Sequence, residues 1–279
     1  MTPWKYSDES YREYTRTSWN DAAARYVKIL RFLQPYGFDL LARLDPKVRE
    51  RCLDIATGPG EPAMSIARMV GPDGKVTGID LSETMVDLAT KIAKERRIPN
   101  VEFRAMDAER MDFPEDMFDI VVSRFGFQIF TNPEGVAKEA HRVLGPRGRL
   151  GLSVWSTAEK AIALHAVVGA MLEFAEPDET GYLPTPFELG GPGELVKLLE
   201  NAGFHDAKEE RRTHTMAFKD ADEYMEIVVD GTPLGHSLRE EDPPVQRKIL
   251  ARTRENLRPW RTRKGIEMPC EAVIVTARK

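Results

Sequence analysis

The sequence predicts an α/β protein: a doubly wound, mostly parallel seven-stranded sheet with an antiparallel edge strand and added helical segments. Three observations carry this. Strand-like and helix-like segments alternate from residue 52 to 154. The first strand, CLDIA, runs straight into the glycine-rich turn Gly58-Pro59-Gly60. The closing segment Glu271–Ala277 (EAVIVTA) is a short apolar run of β-branched type. Alternation with helices of about a dozen residues is the pattern of a parallel sheet covered on both faces.

Residues 8–44 read as helical, with Trp19, Ala22, Ala23, Tyr26, Ile29, Leu30 and Leu33 recurring at spacings of three and four. Pro35 and Gly37 are expected to break this helix, leaving a short second one over Phe38–Leu44. Then come a strand at CLDIA, a helix over Pro62–Met69, and a turn at Gly71-Pro72-Asp73-Gly74. The strand Lys75–Ile79 and the helix Ser82–Glu95, with Ser82 as N-cap, follow. Strands are expected at Val101–Ala105, Phe118–Ser123 and Arg149–Val154, with a helix over Pro133–Val143.

Beyond residue 155 the rhythm changes. Ala158–Phe174 and Gly193–Ala202 read as helices, 204–218 as a strand, and 220–258 as mainly helical with a break at Asp242-Pro243-Pro244. The proline- and glycine-rich stretch 176–193 reads as a lid. The expected organisation is a helical cover over 1–46, then an α/β domain over 47–279 with helical insertions at about 156–195 and 220–260. The last strand is expected antiparallel at the sheet edge.

The chain has 279 residues, 42% hydrophobic and 30% charged, with a formal net charge of −5. That suits a globular protein and argues against non-specific nucleic-acid binding, which needs a basic surface. Residues 247–264 are locally basic but read as a solvated helix face. Cys52 and Cys270 sit in apolar runs and show neither a disulfide framework nor metal-ligand spacing. The polar start MTPWKYSDESYREY has no apolar signal core, and no run approaches a membrane span of ~18 residues. The expected location is a reducing, cytoplasmic one. Homo-oligomerisation stays open.

In an open parallel sheet, ligands bind at the carboxyl ends of the strands near the switch in strand order. Gly58 and Gly60 let a backbone approach a ligand there. Asp80 ends the second strand twenty residues after Gly60, where an acidic group hydrogen-bonds a ribose diol. Together they point to a nucleoside-bearing cofactor. Gly58–Ala63 also fits G-x-G-x-x-A, so an NAD-dependent dehydrogenase is a rival. Glu61, where a pyrophosphate would lie, counts against it unless its side chain turns away.

Several motifs in order resemble class I S-adenosylmethionine-dependent methyltransferases, in the branch similar to ubiquinone/menaquinone C-methyltransferases. They are LDIATGPGE, VTGIDLSETMVDLA, MDAERMDFPEDMFDIVVSRFGF and HRVLGPRGRL, covering about residues 47–155. The resemblance implies a Rossmann-like fold, S-adenosyl-L-methionine as cofactor and a small-molecule methyl acceptor. It implies that Asp54, Ala56, Thr57, Gly58 and Gly60 hold the methionine part, with Ala56 standing where the family has glycine. Asp80 matches the ribose ligand, Leu81 and Met85 the apolar neighbours of ribose and adenine, and Asp107 with Ala108 the adenine contacts. Ser123, Arg124 and Phe125 follow the fourth strand, where the family faces cofactor and acceptor. Quinone enzymes carry Phe-Gly-x-Arg-Asn here; this chain has Phe125-Gly126-Phe127-Gln128-Ile129.

For the acceptor, Arg124 is the expected anchor of an acidic or phenolate group, with Phe127, Tyr26 and Trp155 as apolar contacts. Trp19, Phe130, Met171, Phe174 and Phe187 extend that apolar set, and Tyr6, Tyr11 and Tyr14 join the cover. No catalytic base stands out; His141 reads as a helix C-terminal residue facing the last carbonyls, and His165, His214 and His236 have no visible partner in the sequence. A nucleic-acid methyltransferase and a non-catalytic binding module are the remaining alternatives.

Overall fold

The computed structural model describes residues 9–174 and 185–279. Tyr6 and most of the expected lid, 176–184, lie outside the described residues. Two N-terminal helices, α1 (Glu9–Tyr26) and α2 (Leu30–Leu44), precede the sheet. Then come β1 (Arg51–Ile55), α3 (Ala63–Val70), β2 (Lys75–Asp80), α4 (Glu83–Glu95), β3 (Val101–Ala105), β4 (Phe118–Arg124), α5 (Pro133–Val143) and β5 (Leu144–Trp155). The remainder is α6 (Ile162–Phe174), α7 (Glu194–Asn201), β6 (His205–Phe218), α8 (Ala221–Tyr224), α9 (Pro233–Glu240), α10 (Pro243–Asn256), the two-residue β7 (Arg261–Thr262) and β8 (Gly265–Arg278).

The strands lie in the order β3-β2-β1-β4-β5-β8-β6, with β7 beside β8. From β3 to β5 every pairing is parallel. β8 runs antiparallel to both neighbours. Glu271–Ala277 is thus the antiparallel strand the sequence expects, but it lies one strand in from the edge; β6 pairs outside it.

Alternation along β1 and β4 sorts their side chains to two faces. Cys52, Ile120 and Val122 pack with Leu40, Leu41 and Leu44 of α2 and with α3. Leu53, Ile55 and Val121 pack on the other face with α5 and α7. Local signals fix several ends. The Ser82 hydroxyl accepts from Met85 N at 3.0 Å to cap α4, and Asn132 caps α5 through Gly135 N at 2.8 Å.

Pro35 does not stop α2. The helix runs through it because its buried stripe (Phe32, Leu33, Tyr36, Gly37, Leu40, Leu41, Leu44) is long and apolar. That burial outweighs the one hydrogen bond a proline removes. The break lies earlier, at the tight turn Val27–Ile29. Phe32, Leu33 and Tyr36 of α2 also join α6, α10 and the wide helical turn Met225–Val229 in a separate apolar cluster. Cys52 and Cys270 are free and buried, and burial pushes the Cys270 thiol up to about 12. Among the described residues no helix is long and apolar enough to cross a membrane.

Candidate functional site

The strand order reverses at β1, which pairs with β2 on one side and β4 on the other. A cleft opens at the carboxyl ends of these strands. It holds about 800 Å³ of empty space, part of it open to solvent, a volume that suits a nucleoside-sized ligand. Its floor is the turn after β1. Ala56, Gly58 and Gly60 have φ of 54°, 53° and 95°. Gly60 must also be bare, since a Cβ there would stand 2.5 Å from Met64 Cε and 2.9 Å from Phe103 Cζ.

Asp54 explains why a buried strand carries a carboxylate. Its Oδ2 accepts from Thr57 Oγ1 at 2.7 Å and from Ala63 N at 3.0 Å, tying strand, turn and the first residue of α3 together. Its Oδ1 is buried with no partner. Burial raises its pKa to about 7, against the opposing pull of Thr57, Arg124 and the Ala63 N–H.

At the β2–β3 end, Asp80 Oδ2 accepts from Gly58 N at 2.8 Å and Oδ1 from Ser82 N at 2.9 Å. Burial still lifts its pKa to about 6. Each oxygen keeps acceptor capacity for a hydroxyl. Asp107 accepts from Glu109 N at 2.9 Å and stands 3.7 Å from Arg12 Nη1 of α1. The Arg12 Nη2 donates to Glu109 at 2.7 Å, and Thr131 donates to the same carboxylate at 2.8 Å. Leu81, Ala108, Met106 and Ile79 complete this end.

At the β1–β4 end the lining is Trp19, Tyr26, Arg124, Phe125, Gly126, Ile129 and Phe130. Trp19 and Tyr26 meet edge to face at 5.1 Å. Burial raises the Tyr26 phenol pKa; the Arg124 charge opposes this and the Asp80 charge adds to it.

Of the residues expected at the site, Ala56, Gly58, Asp80, Leu81, Asp107, Ala108, Arg124, Phe125 and Tyr26 line the cleft. Asp54, Thr57, Gly60, Met85 and Ser123 do not. Ser123 is fully buried and donates to Ile55 O at 2.8 Å, clamping β4 to β1. Met85 is buried on α4. Phe127 and Trp155, expected beside the acceptor, lie behind the wall. Phe127 meets Phe130 edge to face at 5.4 Å, and Trp155 stacks on Phe125 at 4.1 Å. Both are more completely buried as packing for the wall than they would be inside the cleft. Met171, Phe174 and Phe187 pack against the α6–α10 cluster instead.

The sequence reading passed over Arg12, Thr15 and Thr131. A signal for two of them existed: Arg12, Thr15, Trp19 and Tyr26 are spaced by three, four and seven, so they share one face of α1. None of the four histidines lines the cleft. His214 bonds Asp39 at 2.7 Å, His236 lies 3.5 Å from Asp21 and from Glu240, and His141 packs on Phe204. In the basic segment, Arg252 pairs with Glu173 and Glu255, and Arg254 with Asp222. Glu61 is turned away onto Ser65 and Arg96, so its charge does not face a pyrophosphate site. That removes one sequence argument against a dinucleotide.

Fold and cleft define an α/β protein with a ligand-sized cleft at the switch point of its sheet. Residues 52–148 match the family model described as a methyltransferase domain. The nocamycin O-methyltransferase of Saccharothrix syringae is 31% identical over 64% of this chain and 67% of its own. The demethylmenaquinone methyltransferase of Geobacillus stearothermophilus is 34% identical over 64% of this chain and 81% of its own. Among solved structures, the YcgJ protein of Bacillus subtilis superposes with a TM-score of 0.62 at 18% identity, over 87% of this chain and 97% of its own, which speaks for the fold alone. The chain belongs to the class I S-adenosylmethionine-dependent methyltransferases, in the branch similar to the ubiquinone/menaquinone C-methyltransferases. It is an enzyme, and its cofactor is S-adenosyl-L-methionine.

The cleft fits that molecule. A bare turn leaves room for its backbone-bound part, Asp80 has acceptor capacity for a diol, and Arg124, in the lining, has an Nε without a partner.

Proposed function

We propose that this enzyme transfers a methyl group to a small apolar or aromatic acceptor that enters the cleft at the end of β4. The observation that carries this is the wall there: Trp19, Phe125, Ile129 and Phe130 surround the space beyond the Ala56–Gly58 turn. Mostly apolar linings with few polar anchors are typical of small-molecule sites. The curated relatives named for nocamycin and demethylmenaquinone support an acceptor of this class.

S-adenosyl-L-methionine supplies, when bound, a methyl already activated on a sulfonium. The protein's task is to bind, align and exclude water. Asp80 would take the ribose diol and Asp107 the adenine amino group. The Asp80, Asp107 and Glu109 carboxylates in the lining put negative charge on a cleft whose ligand is cationic. Helix α1, carrying Arg12, Thr15, Trp19 and Tyr26, would act as a roof over cofactor and acceptor, with residues 1–46 as cover.

Incubating the enzyme with methyl-labelled cofactor and a panel of aromatic, quinone and polyketide acceptors tests the proposal. Label is expected in at least one apolar ring compound. Labelling confined to RNA, DNA or protein would overturn it.

A further inference from the structure

Arg124 is the last residue of β4 and is only 9% exposed. It lines the cleft at the apolar end, with Trp19, Phe125, Ile129 and Phe130. Its Nε is buried without a hydrogen-bond partner, and among the described residues no carboxylate stands at ion-pair distance from the guanidinium. The side chain rests on α2 at Gly37, where a Cβ would touch Nη1 at 3.4 Å and Cδ at 3.5 Å. Packing, not a counter-ion, holds this cation in place. Tyr26 is the other titratable side chain in the same wall, and its hydroxyl has no partner among the described residues.

A buried guanidinium without a counter-ion is costly. Here the cost grows when the cofactor brings a sulfonium into the same cleft, because two cations in an apolar space repel. An anion that shares the space is drawn to both. We propose that Arg124 is the specificity-determining residue for the acceptor: it seats an acidic oxygen, with the Tyr26 hydroxyl as a second donor, so that the acceptor binds as a phenolate, enolate or carboxylate. This rests on the reading of an apolar or aromatic acceptor and narrows it to one that carries an acidic O–H. Arginine suits the role because its planar fork offers parallel N–H donors to an oxyanion. The acceptor gives its proton to solvent before transfer. Its oxygen lone pair then forms the bond to the methyl carbon, the carbon–sulfur bond breaks, and that electron pair stays on sulfur. Negative oxygen and positive sulfur are both neutralised, so the step needs no side-chain base. None of the described lining residues is a histidine.

Calorimetric titration of the full chain, saturated with S-adenosylhomocysteine, with 2-naphthoate and with its neutral counterpart 2-naphthamide tests the seat. The wild type is expected to prefer the carboxylate by at least about tenfold. R124M should weaken 2-naphthoate roughly 10- to 100-fold while leaving 2-naphthamide and S-adenosylhomocysteine unchanged. R124K should recover part of the loss, and Y26F should cost roughly 3- to 10-fold on 2-naphthoate alone. At one fixed pH, 4-nitrophenol bound to the wild-type complex should show a stronger visible phenolate band than in buffer, because a nearby cation favours the ionised form. R124M should abolish that gain. Should R124M fail to fold, the Y26F titrations, the wild-type preference and the phenolate band still decide. No preference for the anion, no binding of either naphthyl probe, or an R124M loss that falls on S-adenosylhomocysteine would overturn the seat, while binding of S-adenosylhomocysteine keeps the methyltransferase reading intact. A wild type that does not bind S-adenosylhomocysteine would overturn both.

Discussion

At the β2–β3 end of the cleft the carboxylates arrive already bonded. Asp80 takes the Gly58 and Ser82 N–H groups, Asp107 takes the Glu109 N–H, and Arg12 reaches down from α1 to Asp107 and Glu109. At the β1–β4 end Arg124 Nε has no partner, Asp54 Oδ1 is orphaned and buried outside the lining, and most of the wall is apolar. The difference separates two jobs. A preformed polar end grips without reorganising. An end with orphaned charges stores a cost that only the right ligand relieves, and so it selects.

The comparison can be broken at its floor first. Gly60→Ala would place a Cβ against Met64 and Phe103 at a strained φ of 95°. We expect a stability loss of about 2–4 kcal/mol by denaturant titration, with the β2–β3 end distorted most. A neutral substitution would mean that the floor is softer than its contacts imply.

Next, Asp80→Ala removes a bonded carboxylate from the preformed end. Affinity for S-adenosylhomocysteine should fall by about 2–3 kcal/mol in calorimetry. An unchanged dissociation constant would remove Asp80 from the ribose site.

The orphaned end makes its own pH signature. The Asp54 pKa is about 7 folded, against about 3.9 unfolded. Between these values the folded state holds a proton that the unfolded state has released. Stability of the unliganded protein therefore falls as pH rises across this window, and the full loss is reached above about pH 7. Asp54→Asn should flatten the decline by on the order of 2 kcal/mol in melts run from pH 4.5 to 7.5. Asp80, at about 6, contributes a decline of the same sign that persists in this variant. A wild type that gains stability over this range would contradict the burial of both groups.

The smallest effect sharpens the contrast. Arg12→Ala cuts the tie between α1 and the β2–β3 end, yet the ion pair is partly exposed. A loss of about 0.5–1 kcal/mol is expected, read best as faster hydrogen exchange in α1. Loss of exchange protection in β2 and β3 as well would mean that the roof, not the sheet, holds that end in shape.

Much of the site was legible because its key residues sit at fixed places in a βαβ unit. Ala56, Gly58, Asp80 and Asp107 each end a strand or lie just after one, so counting strands locates them. Side-chain direction was harder. Ser123, Arg124 and Phe125 are consecutive, yet one clamps the sheet, one is an orphaned cation and one lines the cleft while stacking on Trp155. Aromatic content did not show which rings face the ligand and which back them, as Phe127 and Trp155 illustrate. Pro35 was read by its local rule and overruled by the apolar stripe around it. The parallel half of the sheet followed from alternation. The place of β8 inside β6 did not, because it depends on a pairing between segments about sixty residues apart.

That pairing bears on the order in which the chain is made. β6 takes its ladder bonds from β8 and, among the described residues, pairs with no other strand of the sheet. During synthesis at about 5–20 residues per second, β6 leaves the ribosome roughly 3–12 s before β8. For that interval β5 and β6 both present open edges, which invite pairing with another nascent chain. β8 closes both at once. The cofactor cleft lies on strands made earlier, so it can take shape on a polysome before the far half of the sheet is sealed.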